Sequence, residues 1–183
     1  MSDYPAAGYV LRDKFSQIHP TTGMSFAVIP HPSSTLPTKL PELLKKWSSM
    51  PAALADDRSS IKPNHIYVIP PGKEIRVEDG SFDVRPKSKV KGWSNVITLF
   101  INSLAEWRKP AGIVVILSGM DADGTAALEG FHQQGGITIV QELEAAAHPD
   151  MPRAAIETGY VDYIQPPHRI AAKIEEIAEE TFD

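Results

Sequence analysis

The chain has 183 residues, a formal charge of -5 and 42% hydrophobic residues. That is enough chain to bury one proper core. The acidic balance argues against nucleic-acid and anionic-membrane partners, which select clustered Lys and Arg. The absence of cysteine excludes disulfides, a thiolate nucleophile and Cys-bound metal. The basic stretch Lys87–Lys91 reads as a solvated loop. No apolar run reaches the length of a membrane span, and the N-terminus lacks a signal-peptide pattern. The expectation is a single cytoplasmic domain over residues 1–183, with no membrane insertion.

In chain order, Tyr4–Gly8 looks like a turn. Met24–Ile29 is a short apolar run closed by Pro30, expected as a buried strand. Leu36–Trp47 reads as a helix with Leu36, Leu40, Leu43, Leu44 and Trp47 on one side. Pro41 must then lie in its first turn, which moves the start toward Thr38. His65–Ile69 is a strand stopped by Pro70 and Pro71. Glu74–Arg85 alternates around Asp79-Gly80, a hairpin signal. Val96, Leu99, Phe100, Leu104 and Trp107 mark one face of an amphipathic helix over Asn95–Trp107.

Gly112–Leu117 is continuously apolar, as expected of a parallel strand buried on both faces. Ser118–Gly124 is a loop leading into a helix of about residues 125–134, ended by Gly135-Gly136. Ile137–Val140 is a strand, Met151–Thr158 a short helix capped by Gly159, and Tyr160–Ile164 a strand. Pro166-Pro167 opens a last helix to about Glu180. Strands alternating with helices of this length predict an α/β fold, a three-layer sandwich with a mainly parallel sheet plus a β-hairpin.

Ligands of an open parallel sheet bind outside the carboxyl ends of the strands. His31 follows the strand ending at Ile29, and Asp121 and Asp123 follow the strand ending at Leu117. If those strands are neighbours, an imidazole and a carboxylate share a rim, which is the base-and-orienter half of a hydrolase triad. A bland reading stands beside each. His31 lies between two prolines and also reads as a loop residue, and Asp123 before Gly124 also reads as the N-cap of the helix it precedes. His19, His65, His132, His148 and His168 are scattered without metal-ligand spacing. No metal and no cofactor is expected. No Gly-x-Ser-x-Gly elbow occurs; Gly23–Ala27 comes nearest, but at the start of a strand.

Ile116–Thr125 (Ile-Leu-Ser-Gly-Met-Asp-Ala-Asp-Gly-Thr) resembles the strand-loop-helix signature of the CheB-type protein-glutamate methylesterases. Met151–Ile156 is similar to that family's later Met-Pro-Arg segment, Val28–Pro32 to its strand ending in a histidine, and Asn64–Gly72 to another of its stretches. The resemblance spans about residues 22–172 in order. It implies hydrolysis of glutamate methyl esters on chemoreceptors, with glutamine deamidation in some members, by a Ser-His-Asp triad. It implies His31 and Asp123 as the retained triad members. Met120, Asp121, Met151 and Arg153 become binding candidates, and methyl-accepting receptors or a related methyltransferase the partners.

The departure is upstream. The family's Gly-Ala-Ser-x-Gly-Gly turn aligns with Asp3–Gly8, which puts Tyr4 or Pro5 where the nucleophilic serine stands. The strand before that turn and its oxyanion donors are expected to be missing, as is a receiver domain, leaving residues 1–20 a divergent segment. Ser33 and Ser34 are poor substitutes, because a residue two along from the base rarely points at its ring. Three readings remain open: a divergent esterase of weak or lost activity, a non-catalytic methylesterase-like binding or regulatory module, or a chain whose start lies further upstream.

Overall fold

The computed structural model describes residues 6–30, 39–87, 95–107 and 112–182. Tyr4, Pro5, His31, Ser33 and Ser34 lie outside these residues. The elements run α1 (Ala6–Phe15), β1 (Ser25–Val28), α2 (Leu40–Trp47), β2 (Ala52–Leu54) and β3 (His65–Val68). The hairpin β4 (Lys73–Glu78) and β5 (Ser81–Pro86) is followed by α3 (Val96–Trp107) and β6 (Ile113–Ile116). Then come α4 (Thr125–Gln133), β7 (Ile137–Gln141), α5 (Asp150–Glu157), β8 (Tyr163–Gln165) and α6 (Pro167–Phe182).

The expected α/β architecture is present. The sheet is parallel in two ladders, β1-β3-β2 and β6-β7-β8, with β4-β5 an antiparallel pair. Helices α1, α2 and α6 cover one face, where Phe15, Leu44, Ile66, Val68, Ile139 and Ile174 share a core. On the other face α3 bridges two clusters. Its Val96 and Phe100 pack with the hairpin's Ile75 and Phe82, and its Ile101 and Ala105 with Leu128 and Phe131 of α4. Full burial of one such side chain stabilises by about 1.5–3 kcal/mol. The hairpin turns at Asp79 and Gly80, both with positive φ (48° and 75°), the two-residue geometry expected of Asp-Gly.

Several elements differ from the sequence reading. The turn read at Tyr4–Gly8 gives way from Ala6 onward to α1, whose Phe15 is buried and meets Phe26 edge-on at 5.6 Å. Helix α2 starts at Leu40, later than Thr38, with Pro41 in its first turn as Pro geometry requires. The three-residue β2, behind Pro51, is too short to show a period. Strand β8 starts at Tyr163 and not Tyr160. Most telling, β6 is not buried on both faces: Ile113, Val114 and Val115 are only half-buried, because β6 is the edge of its ladder.

One buried polar contact ties α1 to α6. Lys14 is 4% exposed and its Nζ donates to the Pro167 carbonyl at 2.9 Å. Burial pulls its pKa from the ordinary 10.5 down to about 8, with Asp13 partly opposing. The folded chain thus releases this proton before the unfolded chain does. The penalty is full below about pH 8 and is relieved as pH climbs toward 10.5. Lys14→Met is expected to gain on the order of 2 kcal/mol at pH 7. In chemical denaturation from pH 7 to 10.5, the parent should close that gap as pH rises. A gap independent of pH would refute the assignment.

Candidate active site at the carboxyl rim

Strand β6 leads directly into the loop that carries Met120, Asp121 and Asp123. That loop is pinned at its start. The Ser118 N–H donates to Gln141 Oε1 at 3.3 Å, and fully buried Gln141 donates through Nε2 to the Ala145 carbonyl at 2.8 Å. The Ser118 hydroxyl accepts the His148 N–H at 2.9 Å, and the Gly119 N–H donates to the His148 carbonyl at 2.9 Å. The Met151 N–H donates to the Gly119 carbonyl at 3.0 Å. A Cβ at Gly119 would stand 3.1 Å from Met151 Sδ, so glycine lets the α5 start close on the loop.

Asp123 sits at the centre of a second set of bonds. Its Oδ2 accepts the Ile97 N–H at 3.0 Å. Its Oδ1 accepts the Thr98 N–H at 3.0 Å and the Thr98 hydroxyl at 2.9 Å. Thr98 Oγ1 in turn accepts the Gly124 N–H at 2.9 Å, closing the ring. The Asp123 N–H donates to Asp121 Oδ1 at 3.0 Å. Asp123 is therefore a helix cap, but not of the helix it precedes. The cap position of α4 is Gly124 at φ 98°, without a side-chain bond. The carboxylate instead serves the first turn of α3, where free N–H groups and the helix dipole favour an anion.

A carboxylate has about four acceptor positions. Three are filled at Asp123, two on Oδ1 and one on Oδ2. One remains on Oδ2, so the group is rigidly aimed and still able to accept an imidazole N–H. Met120, beside it, is 57% exposed and available to a ligand. Met151 packs against Gly119, whereas Arg153 is exposed; two helical positions lie about 200° apart in azimuth. The structure thus gathers Met120, Asp121, Asp123 and Met151 at one rim and turns Arg153 away from Met151. His31 lies outside the described residues.

Sequence reasoning missed Thr98, Ile97 and Gln141. Nothing in the order of residues says that the acceptor for the start of α3 arrives from 26 positions on.

The comparisons with known proteins give the family. The sequence profile of the CheB methylesterase family matches residues 8–174. The chain belongs to that family. A relative in Geobacillus kaustophilus, named as a protein-glutamate methylesterase/protein-glutamine glutaminase, is 31% identical over 171 residues, covering 90% of this chain and 48% of that protein. A 104.1 kDa protein of Rhodobacter capsulatus is 31% identical over 120 residues, 66% of this chain and 12% of that protein. This CheB methylesterase-family chain therefore spans half or less of those two relatives. The crystal structure of the Thermotoga maritima CheB methylesterase catalytic domain superposes with a TM-score of 0.83 at 25% identity, covering 93% of this chain and 92% of that one.

Proposed function

We propose that this chain acts as a divergent protein-glutamate methylesterase domain on methyl-accepting chemoreceptors, with slow turnover. The observation that carries the reading is the Asp123 carboxylate, held at the rim with one acceptor position left for an imidazole. In this reading His31 donates one ring N–H to Asp123 and takes a proton from water with its other nitrogen. The resulting hydroxide attacks the ester carbonyl, methanol leaves and the glutamate carboxylate remains. Tyr4 or Pro5 stands where the family's serine would be. Loss of a triad nucleophile costs on the order of a million-fold in turnover, so hydrolysis should be weak. Met120 and Met151 would line the ester pocket, with Asp121 shaping the loop and Arg153 meeting the receptor outside it.

The test is methanol release from methylated receptor by the purified chain, compared with His31→Ala and Asp123→Asn. Slow release that both substitutions abolish is the expected result. Release equal in all three would sink the esterase reading. A second reading, a non-catalytic docking module, is favoured by that same Tyr4 or Pro5. It requires association with receptor tails or with a methyltransferase in a pull-down, and absence of association would eliminate it.

A further inference from the structure

The first N–H groups of a helix have no partner inside it. At the start of α3 the Ile97 and Thr98 N–H groups find theirs in Asp123, one on each carboxylate oxygen. Those two bonds meet the helix's need. They also leave the carboxylate symmetric: with about two acceptor positions per oxygen, each oxygen would keep one open. An imidazole would then have two places to dock. The Thr98 hydroxyl removes that choice. It donates to Oδ1 at 2.9 Å, so Oδ1 is full and the open position lies on Oδ2.

The hydroxyl is itself directed. A hydroxyl turns freely unless its oxygen is engaged. Thr98 Oγ1 accepts the Gly124 N–H at 2.9 Å, which sends its proton toward Asp123. Threonine is also stiff at its first torsion, because it branches at Cβ. Helical threonines often spend their hydroxyl on a carbonyl three or four residues back. This one reaches a side chain 25 positions on. Because Gly124 follows Asp123, a single oxygen grips both the carboxylate and the backbone next to it. On the other side the Asp123 N–H is held by Asp121 Oδ1 at 3.0 Å. The carboxylate is therefore fixed relative to its own loop as well as to α3.

Capping accounts for the two N–H bonds and not for the third. An α3 cap needs an acceptor for backbone donors, and Asp123 supplies it without any hydroxyl. The hydroxyl bond adds direction to a group already bound.

We propose that Thr98 is a positioning residue of the esterase site: its hydroxyl fills Oδ1 of Asp123 and so commits Oδ2 to the His31 ring. The inference rests on the esterase reading and adds to it a residue that touches neither ester nor imidazole. Thr98 acts through Asp123 alone.

The experiment compares the parent with Thr98→Val, which keeps the shape and loses the hydroxyl, and with Thr98→Ser, which restores it. In methanol release from methylated receptor, Thr98→Val should lower kcat about tenfold with KM unchanged, since misplacing a catalytic group by about 1 Å can cost about a hundredfold. Thr98→Ser should recover most of that loss. Ile174→Val, a core truncation in α6, should leave kcat as it is and so controls for stability. A second readout needs no turnover. The ring 15N shifts of neutral His31 report how its proton is shared between the two nitrogens, and a paired carboxylate holds one tautomer. Thr98→Val should mix the tautomers, Thr98→Ser should not, and Asp123→Asn should abolish the preference. Should Thr98→Val fail to fold, Thr98→Ala takes its place. A tautomer that responds to Asp123→Asn but not to Thr98→Val would overturn this proposal alone. Equal loss in the valine and serine variants would overturn it too, by reducing Thr98 to a packing role. A tautomer indifferent to Asp123→Asn would remove the His31–Asp123 pair, and with it both this proposal and the esterase reading.

Discussion

Asp123→Ala should destabilise the protein by about 3 kcal/mol and lower its melting temperature by roughly 10 °C, whatever it does to hydrolysis. The physical reason is the carboxylate's second task. Removing it leaves the Ile97 N–H, the Thr98 N–H and the Thr98 hydroxyl without their acceptor at the start of α3. Loss of a cap costs about 1 kcal/mol and bonds to a charged acceptor are worth roughly twice neutral ones. Asp123→Asn keeps one acceptor oxygen and should lose only about 1 kcal/mol. Thermal and denaturant melts of the two variants measure the difference. Equal stability of Asp123→Ala and parent would show that the carboxylate does not hold α3. The consequence for the ester assay is direct: only the asparagine variant separates chemistry from folding.

Gly124→Ala is expected to be as damaging, again about 3 kcal/mol. Gly124 has φ 98°, a conformation costing a side-chain-bearing residue roughly 1–2 kcal/mol. A Cβ there would fall 2.6 Å from Ile97 Cγ2 and 3.3 Å from Ile101 Cδ1. Something must shift, and both neighbours belong to α3, whose first turn carries the Asp123 bonds. Combining Gly124→Ala with Ile97→Ala removes the nearest clashing carbon. The double variant should therefore cost less than the sum of the single ones, a coupling that urea titrations of all four proteins can resolve. Strict additivity would mean that the backbone angle alone, not the clash, makes glycine necessary.

Both expectations concern one junction, where the β6–α4 loop meets the α3 N-terminus. That junction explains why the sequence could name Asp123 and yet misplace what it caps. Asp before Gly at the mouth of a helix is a local pattern, and local patterns suggest local partners. The acceptor geometry is decided by α3 packing across α4 through Ile101 and Leu128, which brings residues 26 apart into a bond.

The sequence by itself determined what depends on near neighbours in the chain. Asp79-Gly80 dictated the hairpin, because its two residues can both take positive φ. The apolar spacing of Val96 to Trp107 dictated α3, and the runs at His65–Ile69 and Ile137–Val140 dictated strands. The motif Ser118–Thr125 carried the family and the Asp123 candidate. Tertiary structure decided the rest. It made α1 from a segment that read as a turn, by burying Phe15 and Lys14 against β1 and α6. It assigned the Asp123 carboxylate to α3. It also left β6 half-buried although its residues are as apolar as those of a central strand, because burial depends on which strand lies alongside, and a strand's own residues carry no record of its neighbour.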